Sequence, residues 1–206
     1  MIKSIALDLG GVVVAINFNQ AVSRFEELGV KDVGRILNPF QQGGFFGDLE
    51  GGRIGAGQFQ EEMSRSCGRP VSREECHYAC MGFIESVPLP NLDAILRLRK
   101  EGYRVVLLSN TNPIVMEWAL SPAFDGRGHA LSDYFDALYL SYRYRMMKPE
   151  PAFFRAVLEG EQVRPEELLF VDDGQVNIDA AARLGIRTML VENNADWTED
   201  IYKNLR

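Results

Sequence analysis

Four runs of branched aliphatic residues recur at wide intervals: Ile2 to Leu7, Arg104 to Leu108, Leu168 to Val171 and Thr188 to Val191. Apolar runs of this length predict strands buried on both faces, as in a parallel sheet. Ala137 to Leu140 is a shorter, weaker fifth. Between the runs the apolar positions change to a helical spacing. Leu92, Ile95 and Leu96 form one stripe before Gly102; Phe153, Phe154, Val157 and Leu158 form another, stopped at Gly160; Ile178, Ala181 and Ala182 form a third, stopped at Gly185. Glycine just past an apolar helical stripe is a stop signal. Strands alternating with helices on this scale predict an α/β domain whose parallel sheet is covered by helices on both faces.

One stretch breaks the alternation. From about Asn17 to Val87 only helical signals are present: Phe18, Ala21, Val22 and Phe25 share a face ending at Gly29, and Ser72 with Glu75 makes a capping box before Tyr78, Phe83 and Ile84. The simplest topology is an all-helical cap, residues 17–87, inserted above the strand ends of a Rossmann-like core, residues 1–16 and 88–206. Linkers are expected near Ala15 and at Pro88 to Pro90.

Composition narrows the function. The chain has 206 residues, 46% hydrophobic and 25% charged, with a net charge of -7. That excess of acid argues against a nucleic-acid surface, which needs a basic stripe. No apolar run approaches a membrane span, and no basic stretch precedes a signal-peptide core. The three cysteines, Cys67, Cys76 and Cys80, are odd in number and clustered, so buried helix thiols and a reducing cytoplasm are expected. A monomer or homodimer acting on a small metabolite fits these bounds.

The candidate chemistry lies at strand ends. Asp8 follows the first strand, Ser109 the second, Lys148 stands before Pro149 after the weak fifth run, and Asp172 and Asp173 close the LLFVDD run. In open parallel sheets ligands bind beyond the carboxyl ends of the strands, which brings these distant residues to one pocket. A lone acid at a strand end is usually a turn former or cap. Several acids gathered in a cleft need a cation, and carboxylates, a hydroxyl and a lysine in this order suit a phosphate handled with a divalent metal.

In DLGGVVV, LLSNTN, KPEP and FVDDGQVNIDAA the chain resembles the haloacid dehalogenase superfamily of phosphatases and phosphotransferases over nearly its whole length. The helical insert is similar to that family's cap of the first type, and the motifs look closest to its sugar-phosphate phosphatases, particularly those acting on glucose 1-phosphate. The resemblance implies that Asp8 attacks phosphorus and forms an aspartyl-phosphate that water hydrolyses. It implies Mg2+ held by Asp8, the Gly10 carbonyl and Asp173, with Asp172 acting directly or through water. Ser109, with backbone N–H groups near Asn110 and Gly11, would hold the phosphoryl oxygens, and Lys148 would offset their charge.

One position departs from the pattern. Where the family usually carries a second aspartate as general acid and base, this chain has Gly10. General acid–base catalysis is worth roughly 10²–10⁴-fold, so its loss need not abolish turnover. The alternative is a weak or inactive phosphate- or metal-binding protein of the same fold. Within the cap, QQGGFFGDLEGGR (Gln41 to Arg53) reads either as a loop with Phe45 and Phe46 packed inside or as a lid whose Phe45, Phe46 and Arg53 meet the substrate.

Overall fold

A computed structural model describes residues 1–38 and 43–205. Among these, strands β1 (Ser4–Leu7), β4 (Arg104–Ser109), β5 (Ala137–Leu140), β6 (Leu168–Asp172) and β7 (Arg187–Leu190) form one parallel sheet in the order β5-β4-β1-β6-β7. Two further strands, β2 (Ala15–Ile16) and β3 (Ile84–Ser86), pair antiparallel apart from it. The predicted α/β class and the five strand positions hold. The last strand departs in one respect: β7 is half exposed, because an edge strand has a neighbour on one side only.

The sheet shows why these runs fold as they do. Side chains alternate across a strand. Ile5, Leu7, Val105, Leu107, Leu169 and Val171 all enter the apolar layer on one face, with Ile95, Leu98 and Trp197. Ala6, Val106, Leu108, Leu168 and Phe170 enter the layer on the other, with Phe153, Phe154, Val157 and Ile178. A one-residue slip would swap the two sets, so the register is firmly specified.

Helices α6 (Leu89–Lys100), α7 (Pro113–Ala119), α8 (Ser141–Tyr144), α9 (Pro151–Glu161) and α10 (Gln175–Ala182) belong to the core. On α6 the predicted stripe shifts: Leu96 is 44% exposed, and Leu98 is buried in its place. Between β2 and β3 lie α1 (Phe18–Glu27), α2 (Val33–Ile36), α3 (Gly44–Glu50), α4 (Ala56–Cys67) and α5 (Arg73–Cys80). They enclose an apolar cluster of their own, with Phe25, Phe46, Phe59 and Met63, which continues onto Ile114 and Val115 of α7.

The inserted block is therefore not wholly helical. The stripe expected to carry Phe83 and Ile84 after Ser72 ends at Cys80, passes through a short 3-10 turn and becomes β3. Three residues are too few to show a strand period. The pairing of β2 with β3 makes a two-stranded ribbon where the linkers were expected. Asn194 fixes its core side, accepting Ile16 N–H at 2.8 Å and donating to Ile16 C=O at 2.9 Å.

Candidate active site

β1 is the central strand, paired with β4 on one side and β6 on the other. The Asp8 N–H continues the ladder by one residue, donating to Val171 C=O at 3.0 Å. The chain then turns sharply: Val13 and Val14 N–H both donate to Leu9 C=O, and Gly11 N–H donates to Val14 C=O. This turn is anchored from below, because Val12 C=O accepts from Asn91 Nδ2 at 2.8 Å and from the buried Trp197 Nε1 at 2.7 Å. Asp8 is thereby held at the carboxyl end of the sheet, one residue beyond its last β1 pair.

Each residue of the Ser109–Asn112 segment has a separate task. Ser109, buried, ends β4. The Asn110 side chain grips the backbone of Lys148, accepting its N–H and donating to its C=O, both at 2.8 Å. Thr111 N–H donates to the Ser141 hydroxyl at 3.0 Å. Asn112 caps α7, its side chain accepting the N–H groups of Ile114 and Val115. The Lys148–Pro149 peptide is cis.

Lys148 is almost fully buried and lies 2.9 Å from Asp8 Oδ1 and 2.6 Å from Asp172 Oδ2. Asp172 also accepts Gly174 N–H at 2.7 Å and Asn177 Nδ2 at 2.9 Å, so its oxygens are well occupied. Asp173 accepts from Asn193 Nδ2 at 2.7 Å. Carboxylate oxygens of Asp8, Asp172 and Asp173 lie within 4.8 Å of one another. At an effective dielectric near 20, two charges at that separation repel by roughly 3 kcal/mol. One lysine balances one of the three acids, so the donor set fits a hard cation with oxygen ligands. No donor among the described residues reaches the Gly10 carbonyl, which leaves that oxygen free as well.

Burial dominates the electrostatics. It raises Asp8 to about 7, with Lys148 pulling down and Asp172 and Asp173 pushing up. Burial, then Asp172, also raises Asp173, against the Asn193 hydrogen bond. For Lys148, burial favours the neutral amine, but Asp172 and Asp8 outweigh it and hold the ammonium above its usual value.

Three sequence expectations change in detail. Gly11 does not offer its N–H, which Val14 already takes. What fixes glycine there is its φ of +76° and the Asp173 carboxylate, which a Cβ would strike. Phe46 fits the packed reading of its stretch: it is buried in the cap cluster, 5.7 Å ring to ring from Phe25 and 5.5 Å from Phe83. Phe45 packs on Phe59 at 5.5 Å. The Arg53 guanidinium is held by Asp48 Oδ1 at 2.6 Å and Gly47 C=O at 3.1 Å. From Gly44 to Glu50 the predicted loop is the helix α3; Gln41 and Gln42 of that stretch lie outside the described residues. Sequence reading missed Asn193, Asn194, Asn91, Trp197 and Glu50, each set in place by a fold contact that has no local pattern.

A groove of about 910 Å3 lies away from these groups, between α4, α5 and α7, bordered by Gln60, Arg73, His77 and Trp118. It holds none of the clustered acids, so its volume does not locate the chemistry.

The family model for haloacid dehalogenase-like hydrolases matches residues 2–185, and the chain belongs to that family of enzymes. It is 45% identical over 201 residues, 98% of this chain and 97% of its relative, to a D-ribitol-5-phosphate phosphatase of Bacteroides thetaiotaomicron. Its fold superposes with a TM-score of 0.94 and 38% identity on a predicted HAD-like family hydrolase of Porphyromonas gingivalis, covering 100% of this chain and 98% of that one. A HAD-family enzyme of Bacteroides thetaiotaomicron, crystallised with magnesium and inorganic phosphate, superposes with a TM-score of 0.87 at 34% identity over 97% of this chain and 98% of its own.

Proposed function

We propose that this protein is a Mg2+-dependent phosphatase acting on a small phosphomonoester of the sugar or alditol class through an aspartyl-phosphate. The observation that carries the reading is the triad of Asp8, Asp172 and Asp173 within 4.8 Å around a buried lysine. The relative's name, D-ribitol-5-phosphate phosphatase, points to an acyclic or primary sugar phosphate rather than glucose 1-phosphate.

Mg2+ would sit among Asp8, Asp173 and the Gly10 carbonyl, with Asp172 reached directly or through water, and would neutralise charge on the transferring phosphoryl group. Asp8 attacks phosphorus as a carboxylate, and the ester oxygen departs. The Ser109 hydroxyl and nearby backbone N–H groups hold the phosphoryl oxygens. Lys148 shares its charge between Asp8 and the phosphate. Residues 17–87 act as the cap that selects the substrate, moving on the β2–β3 hinge.

The test is an initial-rate screen of ribitol 5-phosphate, pentose and hexose phosphates with Mg2+ and with EDTA. Phosphate release that needs Mg2+ and vanishes in Asp8→Asn supports the reading. Full activity after metal removal would refute it.

A further inference from the structure

An alkyl phosphate loses its alcohol as a poor leaving group that needs a proton, and the Asp8 loop has no side chain to give it. Gly10 is closely bordered on the side where an acid would project. A Cβ built there would lie 3.2 Å from Ile16 Cγ2 and 3.7 Å from Ile16 Cδ1, so this β2 residue already fills that side. The other groups around Asp8 are engaged: Lys148 with two carboxylates, Asp172 with Lys148 and two N–H donors, Asp173 with Asn193.

One carboxyl is not. Glu50, the last residue of α3 in the cap, is 9% exposed, and its side chain has no hydrogen bond or ion pair among the described residues. Its main chain is pinned to the core at the site's edge. Its C=O accepts the Ser141 hydroxyl at 2.7 Å, and that hydroxyl in turn accepts Thr111 N–H, two residues past Ser109. Just beyond, Gly52 has a φ of +64° and lies so close to the Tyr142 carbonyl that no Cβ would fit. The charged groups that Glu50 senses are Asp8 and Lys148, and Cys80 of α5 in turn senses Glu50; Arg53, three residues further along the cap, is held on Asp48.

We infer that Glu50 supplies from the cap the general acid and base that the Asp8 loop lacks. The inference rests on the phosphatase reading above. In the first step the Asp8 carboxylate forms its bond to phosphorus while the ester P–O bond breaks, and the departing oxygen takes the Glu50 proton. In the second, the Glu50 carboxylate takes a proton from water, the hydroxide attacks phosphorus, and the P–O bond to Asp8 breaks. Inorganic phosphate leaves and Glu50 is again protonated. Burial, with the Asp8 charge pushing the same way and Lys148 opposing, lifts Glu50 to about 8, which keeps the proton in place at neutral pH. Because the acid arrives on the cap, proton transfer is available only when the cap is seated.

The test compares wild type, Asp8→Asn and Glu50→Gln with Mg2+ on ribitol 5-phosphate and on p-nitrophenyl phosphate, whose leaving group needs no proton. Glu50→Gln should lower kcat/KM on the alkyl ester by about 10²–10⁴-fold. On the aryl ester it should give a stoichiometric burst of nitrophenolate near the wild-type rate, then slow turnover as the aspartyl-phosphate waits for its base. Wild-type rates on the alkyl ester and no burst, with Asp8→Asn dead, would overturn the role of Glu50 and leave the phosphatase reading standing. Wild type no better than Asp8→Asn on both esters would remove both. Should Glu50→Gln fail to fold, Glu50→Asp draws the acid back by one methylene. It should then slow the alkyl ester far more than the aryl burst; equal losses overturn the assignment.

Discussion

The two sides of the site are built on different plans. On the core side, the key polar groups are fixed by short backbone-anchored contacts: Asp8 by the β1–β6 ladder, Lys148 by the Asn110 grip, Asp172 by Gly174 and Asn177. On the cap side, the Glu50 carboxyl stands without a partner among the described residues, and its neighbours Phe46 and Leu49 are spent on the cap's own core. The core can be preorganised whatever the cap does. Next to the site the cap meets the core at a main-chain hydrogen bond to Ser141 and a close backbone contact at Gly52, while its apolar cluster continues onto α7. The groups around Asp8 and the cap carboxyl are thereby held by separate elements.

The division is tested most severely at Asp8. Asp8→Asn should lower phosphate release by about 10⁴-fold or more on every substrate, because the nucleophile serves all of them. A loss confined to some substrates would move the nucleophile elsewhere.

Next in size is the buried cation. Lys148→Met leaves Asp8 and Asp172 in a buried site without their counter-charge, and breaking a buried pair costs roughly 3–5 kcal/mol. Metal-free protein should therefore melt well below wild type, with Mg2+ recovering part of the loss. Phe46→Ala should cost about the same, roughly 3–5 kcal/mol, since it empties a fully buried ring position. The two variants separate by their response to metal: the Phe46 loss belongs to the cap cluster and should be indifferent to Mg2+. An equal rescue of both would blur the boundary drawn between the two sides.

Much of the core side was legible because strands advertise themselves. The paired strand ends that carry Asp8, Ser109 and Asp172 follow from apolar runs, and the topology does the rest. Asn193 and Asn194 were illegible: they follow β7 in an ordinary polar loop, and only folding brings them to Asp173 and Ile16. The cap was legible as a block and not in its parts. β3 is too short to show a period, and FFGDLE between glycines reads as a loop until Phe46 and Leu49 find a shared core. Glu50 carried no signal, since a single acid two residues after another is ordinary in a polar stretch.

Asn193 offers a smaller effect within the core side. It holds Asp173 through a single hydrogen bond, and if Asp173 holds Mg2+ as proposed, removing such a support should cost about 10–100-fold in affinity. Asn193→Ala should weaken Mg2+ activation in that range, read as the metal concentration for half-maximal rate, with kcat at saturating Mg2+ little changed.

The pH dependence of stability separates the sides again. Glu50 moves from an ordinary 4.5 to about 8 in the folded protein. Between those values the folded chain holds a proton that the unfolded chain has released, so stability falls as pH rises through that window. Thermal melts of metal-free wild type should drop from pH 5 to pH 8. Glu50→Gln should flatten the slope without removing it, because Asp8, raised to about 7, acts with the same sign. An unchanged slope would mean that Glu50 is solvated like a surface acid.

The smallest expected effect belongs to Arg53. Its pair with Asp48 is exposed on both partners, 60% and 42% at the side chains, and exposed pairs contribute about 0–1 kcal/mol before salt screens them. Arg53→Ala should therefore leave the melting temperature and kcat near wild type, and added salt should erase what difference there is. KM is the more informative number. If the guanidinium stays on Asp48 and Gly47 during turnover, KM for a sugar phosphate is unchanged, and selection by the cap rests on shape around Glu50. A rise in KM of about tenfold, worth 1.4 kcal/mol, would show that Arg53 leaves Asp48 to meet the substrate. Selection would then be electrostatic, and the cap would carry a working cation opposite Lys148.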